Sequence, residues 1–360
     1  MRILITGGCG FLGAHLTEHF LKTVDNVEIV ILDKFTYASS GMDRLRDIQI
    51  HGERGVHDHI QVKVIGCDIS QPIPQGVAQE VGAIDYVIHA AAETHVDNSI
   101  VDPLPFIKSN VEGTHHLLWW LRTVPSLKRA FLVSTDEVYG PADFGDDVAG
   151  FNEQAAFRPA NPYAAAKAGG EAIAMSYANT YGLPITIVNT MNLYGERQHH
   201  EKFIPLVIRR TLKGEVVQIH ADPTGTISGT RFYIHCRNYA SALSFLIECD
   251  QHLQGVTIET VGRIPNEVFE PKLPGKIHVA GEREISNLDL ALLIAKFVDR
   301  PLQYKLVDFH SSRPGHDLRY ALDDSKIRQM GWQQPFNTEE SLRRTVEWYL
   351  KDENRRWLGL

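Results

Sequence analysis

Cysteine is scarce and scattered in this chain: Cys9, Cys67, Cys236 and Cys249 are the only four among 360 residues, with no Cys-x-x-Cys pair. That spacing excludes a disulfide framework and a thiolate metal site, and it reads as reduced thiols packed like small apolar side chains. No apolar run approaches the ~20 residues of a membrane-spanning helix, and nothing resembling a secretory leader precedes Met1-Arg2-Ile3-Leu4-Ile5. The expectation is a cytoplasmic protein with no membrane partner. A basic excess is also missing: the formal charge is −8, which argues against nucleic acid as a partner while allowing a small anionic ligand held by a few local cations. No internal repeat or low-complexity tract interrupts the sequence. With 43% hydrophobic and 22% charged residues, the chain can bury a large core.

In the first half, short β-branched runs alternate with helical patterns, as in a parallel sheet with crossover helices. Strands are expected at Arg2–Thr6, Glu28–Leu32, Gln61–Ile65, Tyr86–Ala90, Ala130–Val133 and Ile185–Asn189. Helices are expected at Leu12–Leu21, Gly41–Ile48, Ile107–Arg122 and Tyr163–Tyr181. This is an α/β fold, a Rossmann-like doubly wound parallel sheet with ligands at the carboxyl ends of its strands. Beyond Gly195 the pattern changes. Helices at Phe203–Lys213, Tyr239–Cys249, Asn287–Phe297 and Glu339–Leu350, strands at Arg231–His235 and Lys276–Ala280, and loops at Ala221–Thr230 and Gly262–Gly275 suggest a smaller C-terminal substrate-binding lobe. The expected division is a dinucleotide domain at 1–195 and a lobe mainly at 196–360, with segments near 232–262 and 305–320 returning to the first domain.

Thr6-Gly7-Gly8-Cys9-Gly10-Phe11-Leu12-Gly13 follows the first strand and opens the first helix. Glycines there permit the tight turn and let backbone N–H groups meet a pyrophosphate. Asp33 ends the second strand where a ribose-binding carboxylate belongs, and its charge disfavours a 2′-phosphate, so NAD is expected rather than NADP. Lys34 beside it pulls the other way. Asp68-Ile69 and Ala90-Ala91-Ala92 follow the third and fourth strands, facing the same crevice.

Two further elements carry chemistry. Ser134-Thr135-Asp136-Glu137-Val138-Tyr139-Gly140 supplies a hydroxyl and two adjacent carboxyls after an apolar strand. Tyr163 and Lys167, four apart on a helix, share a face, so the ammonium can favour phenolate. Simple hydride transfer needs one base; the extra acid/base pair suggests oxidation coupled to an elimination.

These stretches, with Ala91–Asp97, Glu201-Lys202-Phe203-Ile204-Pro205, Arg313-Pro314-Gly315-His316-Asp317 and Thr345–Tyr349, resemble the extended short-chain dehydrogenase/reductase family over nearly the whole chain. They resemble most its nucleoside-diphosphate-glucose 4,6-dehydratases of the dTDP-glucose type. Thr135-Asp136-Glu137 is the discriminating element, since Tyr-x-x-x-Lys is shared across the superfamily. The resemblance implies a lyase with bound NAD that oxidises C4, removes water across C5/C6 and returns hydride to C6, leaving a 4-keto-6-deoxy sugar nucleotide. Tyr163 with Lys167 would act at the 4-hydroxyl, Thr135 would orient it, Glu137 would take the C5 proton, and Asp136 would protonate the departing 6-hydroxyl.

The cofactor residues implied are Gly7, Gly10, Phe11, Leu12, Gly13, Asp33, Lys34, Thr36, Asp68, Ile69, Ala90, Ala91, Ala92, Ser109, Tyr163, Lys167 and Asn192. The substrate residues implied are Thr94, Thr135, Asn192, Glu201, Lys202, Phe203, His220, Arg231, Asn287, Arg313 and His316. A homodimer through the helices 107–122 and 163–181 is implied too. Departures gather in the second half. Gly195-Glu196-Arg197-Gln198-His199-His200 replaces the family's Gly-Pro-aromatic start, His220 replaces a frequent Tyr, and Arg231-Phe232-Tyr233 replaces Arg-Asp-Trp. They leave the nucleotide base open, dTDP against UDP or another, and they keep a UDP-sugar dehydratase or a 4-epimerase as alternatives. A non-catalytic NAD-binding scaffold would predict a broken Tyr/Lys or acid pair, and none is broken. His199, His200 and His220 show no ligand spacing, and no metal is expected.

Overall fold

The computed structural model describes residues 1–51, 62–143, 150–254, 275–308 and 318–360. In chain order the strands are β1 (Arg2–Thr6), β2 (Glu28–Asp33), β3 (Val62–Gly66), β4 (Tyr86–His89), β5 (Arg129–Thr135) and β6 (Ile185–Thr190), then β7 (Asn192–Tyr194), β8 (Val217–Ala221), β9 (Thr230–His235), β10 (Lys276–Val279), β11 (Glu284–Ser286) and β12 (Tyr304–Asp308). Seven of them form one sheet in the order β10-β6-β5-β4-β1-β2-β3, and every pairing in it is parallel. This is the doubly wound order 3-2-1-4-5-6 with one strand added beside β6, and its switch point lies between β1 and β4.

Both faces of the sheet are covered, which is why its strands read as continuous apolar runs. On one face Ile3, Ile5, Ile29 and Ile31 pack with Leu16 and Phe20 of the Phe11–Thr23 helix and with Leu243 and Leu246 of the Cys236–Gln254 helix. On the other, Leu4, Val30, Val87 and Leu132 pack with Leu117 and Leu121 of the Gly113–Leu121 helix and Ala174 and Tyr177 of the Pro162–Tyr181 helix.

A separate apolar cluster joins Val207, Ile219, Leu290, Ile294, Leu342 and Val346. It lies among the helices Phe203–Lys213, Asn287–Val298 and Thr338–Leu350, beside a three-stranded sheet (β11-β9-β7) and a two-stranded one (β12-β8).

The differences from the expected elements have local causes. Tyr304–Asp308 pairs with β8, and the strand that returns to the large sheet is Lys276–Val279, outside both segments expected to return. The short strands β7, β11 and β12 escape a periodicity reading because three to five residues are too few to show one. The helix expected over 107–122 is continuous but not uniform: Leu104–Ile107 passes through a π-helical turn at Lys108–Glu112 into Gly113–Leu121. The loop expected at Gly262–Gly275 lies outside the described residues except for Gly275.

Candidate active site

A cavity of about 500 Å³ runs along the carboxyl ends of the strands, from the Gly7–Gly13 turn to Thr135, Asp136, Glu137, Tyr163 and Lys167, and on to Arg231 and Tyr233. At its first end the chain turns at Gly7 with φ +69°. A Cβ on Gly7 would stand 2.8 Å from Ala91 Cα, and one on Gly13 would stand 2.3 Å from Gly7 O. Only glycine permits this packing of turn, helix and neighbouring strand. The Phe11–Thr23 helix starts at Gly10 with no side-chain cap, so its first N–H groups face the cavity as an anion site.

Asp33 sits at the β2 end, buried, and its two oxygens accept from Cys9 N–H at 3.0 Å and Phe35 N–H at 2.8 Å. Those bonds fix the carboxylate's orientation against the turn. Burial raises its pKa while each oxygen keeps a lone pair for a further donor. Lys34 is paired with Glu93 at 3.2 Å, so its charge is already engaged. The donor set therefore fits a dinucleotide: open helix N–H groups for the pyrophosphate, an oriented carboxylate for a ribose, and small residues (Ala90, Ala91, Ala92) along the wall.

Of the cofactor residues expected, Gly7, Gly10, Phe11, Leu12, Gly13, Asp33, Lys34, Thr36, Asp68, Ile69, Ala90, Ala91, Ala92, Ser109, Tyr163, Lys167 and Asn192 all line this cavity. Of the substrate residues, so do Thr94, Thr135, Asn192, Glu201, Lys202, Phe203 and Arg231. His220 and Asn287 do not. His220 is in β8 facing β12, and Asn287 accepts from the Tyr233 hydroxyl at 2.8 Å, so it reaches the cavity through Tyr233. Arg313 and His316 lie outside the described residues.

At the other end, β5 ends in Thr135 and the chain turns through Asp136–Tyr139. The Thr135 hydroxyl donates to Asp136 Oδ1 at 2.8 Å. Asn161 Nδ2 donates to Glu137 Oε2 at 3.0 Å, and its Oδ1 accepts from Ala164 N–H at 2.8 Å. Asn161 thus caps the Pro162–Tyr181 helix and holds Glu137 at once.

Burial raises both carboxyls, Asp136 to about 6 and Glu137 to about 7, the latter with the added repulsion of Asp136. Two such neighbours titrate as a pair, and near neutrality the pair carries one proton. Arg231 and Lys202 face Glu137 and temper its rise. Arg231 Nη1 also donates to the carbonyls of Thr230 and Leu318 at 2.6 and 2.7 Å, which ties it to the acid pair's side of the cavity.

The expected lowering of the Tyr163 pKa does not hold in the folded chain. Burial and the facing carboxylates Glu137 and Asp136 hold the phenol above its ordinary value. Lys167 Nζ donates to the Val133 carbonyl at 2.7 Å, and burial lowers this ammonium to about 8.

Several residues here escaped the sequence reading. Arg44, buried and lining the cavity, donates Nε to Arg197 O at 2.9 Å and Nη1 to Ala38 O at 2.8 Å. Glu171 and Asn189 stand behind Lys167. Asn161 had a readable signal, an Asn directly before Pro at a helix start; the others are set by long-range pairing.

The unusual Gly195–Gln198 segment anchors the second cluster to the first helix. Arg197 Nη2 donates to Glu18 at 2.6 Å, His15 bonds Glu196 O at 2.9 Å, and Glu196 meets His235 at 3.1 Å and Arg237 at 3.0 Å. Burial would raise Glu196, but His235 and Arg237 hold it well below the carboxylate range. Next to it, His199, His200 and Glu201 bring ligand atoms within 4.8 Å of one another; His220, the third histidine considered from the sequence, is not among them.

The glycine turn, the oriented Asp33 and the Tyr163/Lys167 helix at the sheet's switch point define an extended short-chain dehydrogenase/reductase. A family model described as GDP-mannose 4,6 dehydratase matches residues 4–345, and the chain belongs to this nucleoside-diphosphate-sugar 4,6-dehydratase family.

The dTDP-glucose 4,6-dehydratase of Salmonella typhimurium is 34% identical, over 100% of this chain and 95% of that protein. A trifunctional UDP-glucose 4,6-dehydratase/UDP-4-keto-6-deoxy-D-glucose 3,5-epimerase/UDP-4-keto-L-rhamnose-reductase of Arabidopsis thaliana is 33% identical over 99% of this chain, which spans only 48% of that protein. Among solved structures, a dTDP-glucose 4,6-dehydratase from Streptomyces venezuelae with NAD and TYD bound has a TM-score of 0.77 at 31% identity, covering 99% of this chain and 98% of that one.

Proposed function

We propose that this protein catalyses the NAD-dependent dehydration of a nucleoside-diphosphate-glucose to its 4-keto-6-deoxy derivative. The observation that carries the reading is the Asp136/Glu137 pair, buried at Asp136 and half-buried at Glu137, raised to about 6 and about 7, in one cavity with Tyr163 and Lys167. An enzyme that only moved a hydride, or inverted C4, would need no second acid/base pair. NAD, when bound, supplies reversible two-electron oxidation, and Gly7–Gly13, Asp33 and the alanines of the β4 end would hold it.

The chain's own residues handle the protons. Tyr163 takes the 4-hydroxyl proton as phenolate, a form that burial and the facing carboxylates oppose and that the Lys167 ammonium supports, and the Thr135 hydroxyl orients that oxygen. The 4-ketone then acidifies C5, whose proton Glu137 accepts in its ionised form, which Asn161 stabilises. Asp136 supplies a proton to the 6-hydroxyl as it leaves as water, and Glu137 finally returns its proton to C5. Of the two carboxyls Glu137 stands higher, so the proton the pair holds must pass to Asp136 before Glu137 can serve as the C5 base.

The lobe built around the 203–213, 287–298 and 338–350 helices would hold the nucleotide, with Lys202 and Arg231 toward the diphosphate and the division falling near residue 195. A homodimer is part of the proposal. Trp119, Tyr181, Met175 and Ile107 are large apolar side chains left 53%, 46%, 39% and 44% exposed on the two helical segments concerned, a grouping that suits an interface. Trp120 packs into the core.

The experiment is incubation with dTDP-glucose, UDP-glucose and GDP-mannose, followed by product analysis. A 4-keto-6-deoxy sugar from dTDP-glucose or UDP-glucose supports the reading and names the base, whereas one from GDP-mannose alone replaces the glucosyl substrate in it. Inversion at C4 with the 6-hydroxyl retained overturns it in favour of an epimerase.

A further inference from the structure

Behind the Tyr163/Lys167 pair lies a buried acid that the proposed chemistry does not use. Tyr163, Lys167 and Glu171 stand four apart on the Pro162–Tyr181 helix and share one face. Glu171 is fully buried. Its Oε2 pairs with Lys276 of β10 at 2.6 Å, and its Oε1 accepts from Asn189 Nδ2 of β6 at 2.6 Å. The same Asn189 amide also donates to the Thr135 carbonyl at 2.9 Å. One carboxylate therefore touches, directly or through one amide, three strands that carry or border the site.

Resting on the assignment of Lys167 above, we propose that Glu171 is a positioning residue that keeps Lys167 charged and ties the catalytic helix to the β5 end. Among the described residues, few charged and titratable groups surround Lys167 besides Tyr163 one turn before it. On its own helix Glu171 is the acid that favours the ammonium. On β4, His89 is buried, bonded to Thr6 at 2.7 Å and Thr114 at 3.0 Å, and lowered to about 3 by burial and by Lys167, so it stays neutral. On β5 the Val133 carbonyl accepts a hydrogen bond from Lys167 Nζ. Around Glu171, Lys276 is the facing cation and the Tyr139 phenol, bonded to Lys276 at 3.0 Å, stays protonated. Burial lowers the Lys167 ammonium, and Glu171 opposes that.

The test isolates C4 oxidation by using a nucleoside-diphosphate-6-deoxyglucose, which has no 6-hydroxyl to lose, and following reduced cofactor against pH. In Glu171→Gln the alkaline limb of oxidation should move down by about one pH unit, roughly a fivefold loss at pH 8 with much less at pH 6.5. Gln keeps an acceptor for Asn189. Because the single change leaves Lys276 buried without its partner, the double variant Glu171→Gln/Lys276→Met is measured beside it and should show the same shift. A folded variant with a uniform loss and an unmoved limb overturns the inference. Lys167→Met separates the two levels: full oxidation in that variant removes the underlying assignment, whereas its loss together with an unmoved limb in Glu171→Gln removes only the role of Glu171.

Discussion

Asn161 and Glu137 are joined by a 3.0 Å hydrogen bond from Nδ2 to Oε2, while Asn161 Oδ1 caps the helix that carries Tyr163 and Lys167. One side chain thus sets the relative position of the proposed C5 base and the proposed oxidation pair.

Replacing Asn161 by Ala should act twice. Loss of the cap costs about 1 kcal/mol, seen as a lower melting temperature. Loss of the donor removes a bond that favours the ionised Glu137, so its pKa rises and the acid limb of kcat/KM moves up by about one unit. Asn161→Ser would keep a cap oxygen but place no amide on Glu137, so it should restore melting temperature without restoring the limb.

The raised carboxyls also link activity to stability. Glu137 titrates near 4.5 when unfolded and about 7 when folded, so the unfolded chain releases its proton first. Folding is favoured below 4.5, loses ground as pH rises from 4.5 to about 7, and is level above. Glu137→Gln removes that penalty, which is at most about 3 kcal/mol. The variant should melt higher than the parent at pH 8 and equally at pH 4. It should also lose C5 exchange with solvent while retaining partial C4 oxidation. Unaltered turnover would take Glu137 out of the mechanism.

Gly13→Ala should be more damaging than its single methyl suggests. The added Cβ meets Gly7 O at 2.3 Å and Gly8 Cα at 2.5 Å, both backbone, so the turn or the helix must move. The expected result is a protein that no longer retains NAD through gel filtration, with a reduced melting temperature. Retention at the parent level would show that the turn adapts.

Trp119→Asp with Tyr181→Asp tests the proposed dimer. Arg122 lies over both rings, 4.2 and 3.9 Å from their centroids, and it would pair with the new carboxylates and keep the helices folded. Light scattering should report a monomer. A dimer of unchanged mass would place the interface elsewhere.

The large sheet was legible because its strands are buried on both faces, and continuous runs such as Glu28–Asp33 and Ile185–Thr190 can be read without partners. Thr6–Gly13 and Thr135–Lys167 were legible because their function is local: a turn followed by a helix, and two side chains on one helical face. Glu171, Asn189 and Lys276 were not. They are polar residues from a helix and two strands, and only the pairing of β10 with β6 brings them together. The phenol of Tyr163 was misjudged for a related reason. A sequence shows the neighbouring lysine but not the depth of burial or the facing carboxylates that outweigh it.

The position of β10 carries a cost in time. The chain completes β6 at residue 190 and then synthesises the whole segment up to Lys276 before the seventh strand can dock. During synthesis the first six strands can pair with β6 left as an open edge. Through that interval Glu171 is packed without its counter-ion. The contact between Glu171 and Lys276 therefore closes only when that late strand docks beside β6.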